Sequence, residues 1–145
     1  LGLQSRSKEA VILVDTSVLS FAYRRTDRGG RSPFATQFAT LVEKGSPIVV
    51  PGIVLQEILS GVREEVQFNR LRAAVEVFPI ALASRGDHLT AAKVRNLLSR
   101  RGVTAASVDV LIAAMAIRRN ADLFTLDGDL ESFAEFLPLR LFKPI

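Results

Sequence analysis

Five carboxylates occupy positions where a folded chain could use them for chemistry. Asp15 follows the aliphatic run Ala10–Val14, Asp127 and Asp129 follow Ala121–Leu126, Asp109 sits inside the apolar stretch Val108–Ile117, and Glu57 lies within Val54–Val62. Carboxylates gathered in one place raise one another's pKa, and desolvation adds to the penalty, so such a group calls for a cation. The chain has no Cys and one His, which excludes zinc held by His and Cys ligands. Oxygen-only ligation favours Mg²⁺ or Mn²⁺, with positions left open for water and phosphate oxygens. Two such ions would activate a water and stabilise the leaving oxygen of a phosphodiester.

Those acids matter only if the intervening elements bring them together. Ala10–Val14 reads as a buried strand and Val18–Tyr23 as a helix, followed by the polar, basic loop Arg24–Ser32. Pro33 suits the first turn of a helix to about Lys44, with Ser32 as N-cap and Gly45 as its stop. Pro47–Val50 is a second strand, and Val54, Leu55, Ile58, Leu59 and Val62 then form one apolar helical stripe. Arg63–Val77 has helical spacing. Phe78–Ala81 is a weaker third strand, because Pro79 suits an edge better than a centre.

Asp87 can cap a helix running to about Arg101, which Gly102 ends, and Ser107 can cap a nearly all-apolar helix, Val108–Arg119. Ala121–Leu126 is a fourth strand, Leu130–Phe136 a short helix and Leu139–Phe142 a last strand. Repeated alternation of strand and helix predicts an α/β fold, a three-layer α/β/α sandwich around a mostly parallel sheet of four to five strands. Ligand sites in such sheets lie at the carboxyl ends of the strands, where the strand order reverses. Asp15, Asp127, Asp129 and Asp109 should all reach that end, and Glu57 could enter the same cleft from the helix after the second strand.

Composition fits this picture. A chain of 145 residues, 48% hydrophobic and 23% charged, is expected to form one domain over residues 10–145 and to bury roughly two thirds of its unfolded surface. Residues 1–9 read as a disordered or expression-derived tail without a secretory apolar core. The run Val108–Ile117 is far shorter than the roughly 20 residues of a membrane span. A soluble protein without a membrane partner is therefore expected, and the lack of Cys suits a cytoplasmic location.

Nineteen Lys and Arg face 15 Asp and Glu; setting aside the five candidate acids leaves 19 basic against 10 acidic groups, a surface of +9. Arg24, Arg25, Arg28 and Arg31 cluster in the first loop, Lys93, Arg95, Arg100 and Arg101 on one helix, and Arg118 and Arg119 at the end of another. Such a field attracts phosphate backbones. His88, beside Asp87, reads as a surface or capping residue without a chemical role.

The segments Val14-Asp15-Thr16-Ser17-Val18-Leu19, Gln56-Glu57-Ile58-Leu59-Ser60-Gly61, Ser107-Val108-Asp109-Val110-Leu111-Ile112-Ala113-Ala114 and Thr125-Leu126-Asp127-Gly128-Asp129 resemble, in order and spacing, the acidic motifs of PIN-domain ribonucleases. Within that family they are most similar to the toxins of VapBC-type toxin–antitoxin pairs. The resemblance covers Val11 to about Phe142. It implies that Asp15, Glu57 and Asp109 are catalytic, metal-centred carboxylates, joined by Asp127 or Asp129, with Thr16, Ser17 and Thr125 orienting carboxylates or waters. It further implies Mg²⁺- or Mn²⁺-dependent endonucleolytic cleavage of RNA with one or two ions per site, a homodimer, and inhibition by a cognate antitoxin. Leu130 departs from the Phe that many relatives carry after the last Asp, a difference that should affect packing.

Blander roles exist for each acid alone: Asp15 as a helix cap, Asp109 as a partner of a helix dipole, Asp127-Gly128-Asp129 as a turn, Glu57 as a surface group. A phosphatase with an aspartyl nucleophile would need a second acid where Ser17 stands, and no glycine-rich phosphate loop occurs. The alternative class is a PIN-like module that binds RNA or protein with negligible turnover. The apolar patterns at Phe34–Val42 and Val54–Val62 suggest surfaces for an antitoxin helix or a dimer contact.

Overall fold

The computed structural model describes residues 10–24 and 33–143. The tail at 1–9, the Ser32 cap and Arg25, Arg28 and Arg31 lie outside the described residues, as does the side chain of Arg24. Five strands form one sheet: β1 (Ile12–Val14), β2 (Ile48–Pro51), β3 (Ile80–Ala81), β4 (Asp122–Phe124) and β5 (Arg140–Leu141), in the order β3-β2-β1-β4-β5. Every pairing is parallel. The α/β/α sandwich read from the alternation is the observed fold, with a wholly rather than mostly parallel sheet. β3 lies at an edge, as Pro79 requires, and the carbonyl of Pro79 accepts the Val50 N–H at 2.9 Å.

β1, β3, β4 and β5 are shorter than their apolar runs, because side-chain burial extends past the paired backbone, while β2 matches its run in length but begins one residue later. Leu13, Val14, Val50 and Leu123 are completely buried, which explains why central strands read as continuous aliphatic runs without polar alternation.

Seven helices surround the sheet among the described residues. They are α1 (Thr16–Arg24), α2 (Pro33–Glu43), α3 (Gly52–Leu59), α4 (Glu65–Val75), α5 (Arg85–Arg100), α6 (Ser107–Arg118) and α7 (Gly128–Ser132), the last followed by one 3₁₀ turn, Phe133–Glu135. Gly45 and Gly102 stop α2 and α5 as expected, with φ of +72° and +79° that a side chain would disfavour. The stripe ending at Val62 is cut short: α3 stops at Leu59, Ser60 is extended, and Gly61 turns the chain with φ +90°.

The apolar patterns proposed for partners are in part core, although Val42 is exposed and the side chain of Phe34 lies outside the described residues. Phe38 is buried between the edges of Tyr23 and Phe78, with ring centroids 6.2 and 5.8 Å away, while Val54 and Ile58 are fully buried. Leu130 is fully buried too, so its departure from Phe is accommodated by packing.

Two caps differ from expectation. α6 begins one residue early, with Ala106 as an uncapped N-cap and Ser107 inside the helix. At α5 the N-cap is Ser84, whose hydroxyl accepts the Asp87 N–H at 3.2 Å, while the Asp87 carboxylate accepts the Ser84 N–H at 2.8 Å, forming a capping box.

Asp87 is also the buried centre of an ion-pair knot. Arg118 Nε donates to it at 3.0 Å, and Arg119 donates through both Nη atoms at 3.0 Å while also reaching the Leu82 carbonyl at 3.3 Å. Gly86 leaves room for the Arg118 guanidinium. Arg118 and Arg119 therefore join α6 to the start of α5, and Asp87 offsets one of their two charges.

Burial alone would raise the Asp87 carboxyl, but the Arg119 bond and charge, with the Ser84 backbone and hydroxyl, hold it well below the ordinary carboxylate range. Because the folded-state pKa is depressed, this stability is present above the unfolded value of about 3.9 and is lost as pH falls through the lower folded-state value. Asp87→Ala is expected to destabilise the protein by about 3 kcal/mol at neutral pH in urea unfolding, the low end for a broken buried pair because both arginines are partly exposed. The gap from wild type should narrow in strong acid; an equal gap at all pH values would contradict the ionic role.

Candidate active site

β1 lies between β2 and β4, so the order of the sheet reverses between β1 and β4, and a crevice opens beyond their carboxyl ends. Asp15 is the first residue after β1, and Thr125–Asp127 follow β4 directly. The Asp15 N–H donates to the Phe124 carbonyl at 3.2 Å, tying the two strand ends together.

Both carboxylate oxygens of Asp15 are held. Ser17 Oγ donates to Oδ1 at 2.6 Å and accepts the Leu126 N–H at 2.9 Å. Thr125 Oγ1 donates to Oδ2 at 2.8 Å and accepts the Asp127 N–H at 2.9 Å. One hydroxyl thus sets Asp15 and the backbone of Asp127 together. The Val18 N–H also bonds the Asp15 carboxylate, so Asp15 caps α1 while lining the crevice; the two roles coexist. Burial raises its pKa, opposed by the Ser17, Thr125 and Val18 bonds and reinforced by Asp127.

Glu57 enters from α3, where Thr16 Oγ1 donates to its Oε1 at 2.5 Å. Asp109 sits in the first turn of α6. Asp127 is the N-cap of α7, with Oδ1 accepting the Asp129 N–H at 2.8 Å. Asp15, Glu57, Asp109 and Asp127, with Thr16 and Ser17, line one cleft of about 570 Å³. Asp129 does not line it: it is exposed, beyond the cap that Asp127 makes.

The electrostatics record the same convergence. The Asp109 pKa is pushed up to about 6, first by burial and then by the charges of Asp127, Asp15, Glu57 and Asp129, in falling order. Two polar lining residues carry no role in the sequence reading: Gln56 on α3 and Ser60, the C-cap of that helix. Their i, i+4 spacing beside Glu57 was the available signal.

The donor set fits a hard divalent cation, being all oxygen, partly dehydrated and strongly anionic. Among the described residues no three His, Cys, Asp or Glu side chains already close around one point. Mg²⁺ does not require such a cage, because it keeps several waters and takes one or two carboxylates directly.

The family model of the PIN domain matches residues 12–136. The chain belongs to the PIN domain family. Among curated proteins none matches the sequence. The solved structures similar to it share its fold at low identity. FitAcB from Neisseria gonorrhoeae is 22% identical with a TM-score of 0.73, over 92% of this chain and 98% of that one. VapBC2 from Rickettsia felis, bound to a DNA fragment from their promoter, is 22% identical with a TM-score of 0.72, over 91% and 97%. VapC20 from Mycobacterium tuberculosis, a toxin that cleaves the sarcin-ricin loop, is 18% identical with a TM-score of 0.62, over 89% and 98%. Among the described residues of this PIN domain, no helix is long and apolar enough to cross a membrane.

Crowded carboxylates without a cation destabilise the fold that holds them. In a chelator near neutral pH, Asp109→Asn is expected to unfold about 1–2 kcal/mol later than wild type, after allowance for solvent screening, melting a few degrees higher. Millimolar Mg²⁺ should raise the wild-type melting temperature and leave the variant nearly unmoved. A variant that melts lower in chelator would contradict the repulsion.

Proposed function

We propose that this PIN domain is a metal-dependent endoribonuclease, the toxin of a toxin–antitoxin pair held in check by a cognate antitoxin. The observation that carries the chemistry is the cleft in which Asp15, Glu57, Asp109 and Asp127 meet from four separate segments at the reversal point of the sheet. The toxin–antitoxin assignment adds the sequence resemblance and the fold shared with VapBC2 and with VapC20.

Asp15 and Asp109, the most desolvated acids of the cleft, would hold Mg²⁺ or Mn²⁺, with Glu57 and Asp127 beside them. Such an ion, when bound, supplies water activation and charge neutralisation at the departing oxygen. Ser17 and Thr125 keep Asp15 from rotating, Thr16 fixes Glu57, and the anionic wall admits a phosphodiester only when its charge is compensated. Asp129 serves the α7 turn and adds long-range charge. In-line attack by water leaves 5′-phosphate and 3′-hydroxyl ends.

A homodimer belongs to the same proposal. Leu82 and Leu89, 75% and 57% exposed, offer apolar surface that a second copy could cover; light scattering at micromolar concentration should give twice the chain mass, and a monomer alone would refute it.

Asp15→Asn or Asp109→Asn is expected to lower cleavage of single-stranded and structured RNA by about 10²-fold or more with the far-UV circular dichroism unchanged, and Thr125→Val by about tenfold. Chelation should abolish activity and Mn²⁺ restore it. Undiminished cleavage by either Asn variant, or 2′,3′-cyclic phosphate products, would overturn the mechanism.

A further inference from the structure

A second groove opens beside the acidic cleft, between α5 and α6. Its volume is about 460 Å³, within the roughly 300–1,000 Å³ of small-ligand sites. Ile53 and Val108 line both spaces, so the groove continues the cleft across an apolar sill. The change of character at that sill is abrupt. On one side every charged lining residue is a carboxylate; on the other, no carboxylate lines the wall, and Arg95 and His88 are its ionisable side chains.

Arg63, Arg70, Arg85, Arg95 and Arg100 have no ion pair among the described residues, and of these only Arg95 lines the groove. Arg118 and Arg119 are committed to Asp87, Arg140 to Asp122 and Asn120, and Arg72 to Glu76. Among the described residues Arg95 has no hydrogen bond or ion pair, and it stands in a concavity. His88, Ala92, Arg95 and Asn96 follow the spacing i, i+4, i+7, i+8, so they share the face of α5 that lines the groove. The small Ala91 and Ala92, with Val108 and Leu111, give it an apolar floor.

We propose that this groove seats the nucleotide adjoining the scissile phosphate, with its own phosphate at Arg95 and its base or ribose on the alanine and valine floor. The inference rests on the nuclease reading above and names the path of the strand. The occupant follows from charge and continuity: a polyanion that presents one phosphate to a cation in the cleft must carry its next phosphate away from the carboxylates, and Arg95 is the uncommitted cation across the sill. Asn96 and Ser107, both free of side-chain bonds among the described residues, supply hydrogen-bonding groups for the sugar or base.

The test is fluorescence anisotropy with a labelled single-stranded RNA, over a range of salt, with Ca²⁺ in place of Mg²⁺ so that the cleft carboxylates are compensated while the strand stays intact. Arg95→Ala should weaken binding about tenfold and reduce the salt slope by about one, as loss of one phosphate contact requires. Arg95→Lys should keep the slope, and Lys93→Ala, on the same helix but outside the groove, should change affinity less than about twofold. Binding unaffected by Arg95→Ala, or equal losses from Lys93→Ala, would overturn the proposal. So would a change of oligomeric mass in Arg95→Ala by light scattering, which would give the groove to a second copy of the chain. Arg95-dependent RNA binding without cleavage in Mg²⁺ would keep the groove and sink the nuclease reading; cleavage indifferent to Arg95 would do the reverse.

Discussion

Like charges held close in a partly dehydrated cleft are the constraint around which this molecule is organised. Left alone, Asp15 and Asp109 would each gain by taking up a proton or turning to solvent, and burial pushes both carboxyls up. The fold prevents the second escape. Asp15 is clamped through both oxygens, and Asp109 is carried on a helix whose following residues Ile112 to Ala116 are packed into the core. Under the proposed function, a divalent cation would resolve the conflict without moving either element.

The supporting structure has a plain physical logic. Parallel strands with fully buried faces end together, and their carboxyl ends deliver side chains to one crevice without any need for long loops. Thr125 links the two strand ends through one hydroxyl, and the Asp87 knot fixes α6 against the start of α5. The result separates charge: carboxylates in the cleft, an uncommitted arginine beyond the apolar sill, and the other paired arginines used to hold the scaffold.

Much of this was legible in the residues. The aliphatic runs, the Pro79 edge strand and the Gly45 and Gly102 stops follow from burial and backbone sterics, and they appear where expected. Asp15, Asp109 and Asp127 were legible because each ends a strand or begins a helix, which ties its direction to the fold, whereas Glu57, in the later part of α3, was legible mainly through the family resemblance. Asp129 was not separable from Asp127, since which of two neighbours becomes the N-cap depends on how the chain enters α7. The fate of Arg118 and Arg119 was hidden for a different reason: their partner, Asp87, lies 31 and 32 residues away, and no local pattern announces a long-range ion pair. Ser84 and Ala106 replaced the expected caps at Asp87 and Ser107 because cap identity is settled by where the chain turns, three residues earlier at α5 and one earlier at α6.

The central claim, that these carboxylates form one divalent-cation site, is tested most directly by a crystal structure grown with Mn²⁺ and an anomalous difference map. The expected result is a peak inside the cleft in contact with oxygens of Asp15 and Asp109. A map with no peak there at saturating Mn²⁺, or with manganese bound only elsewhere on the protein, would contradict it.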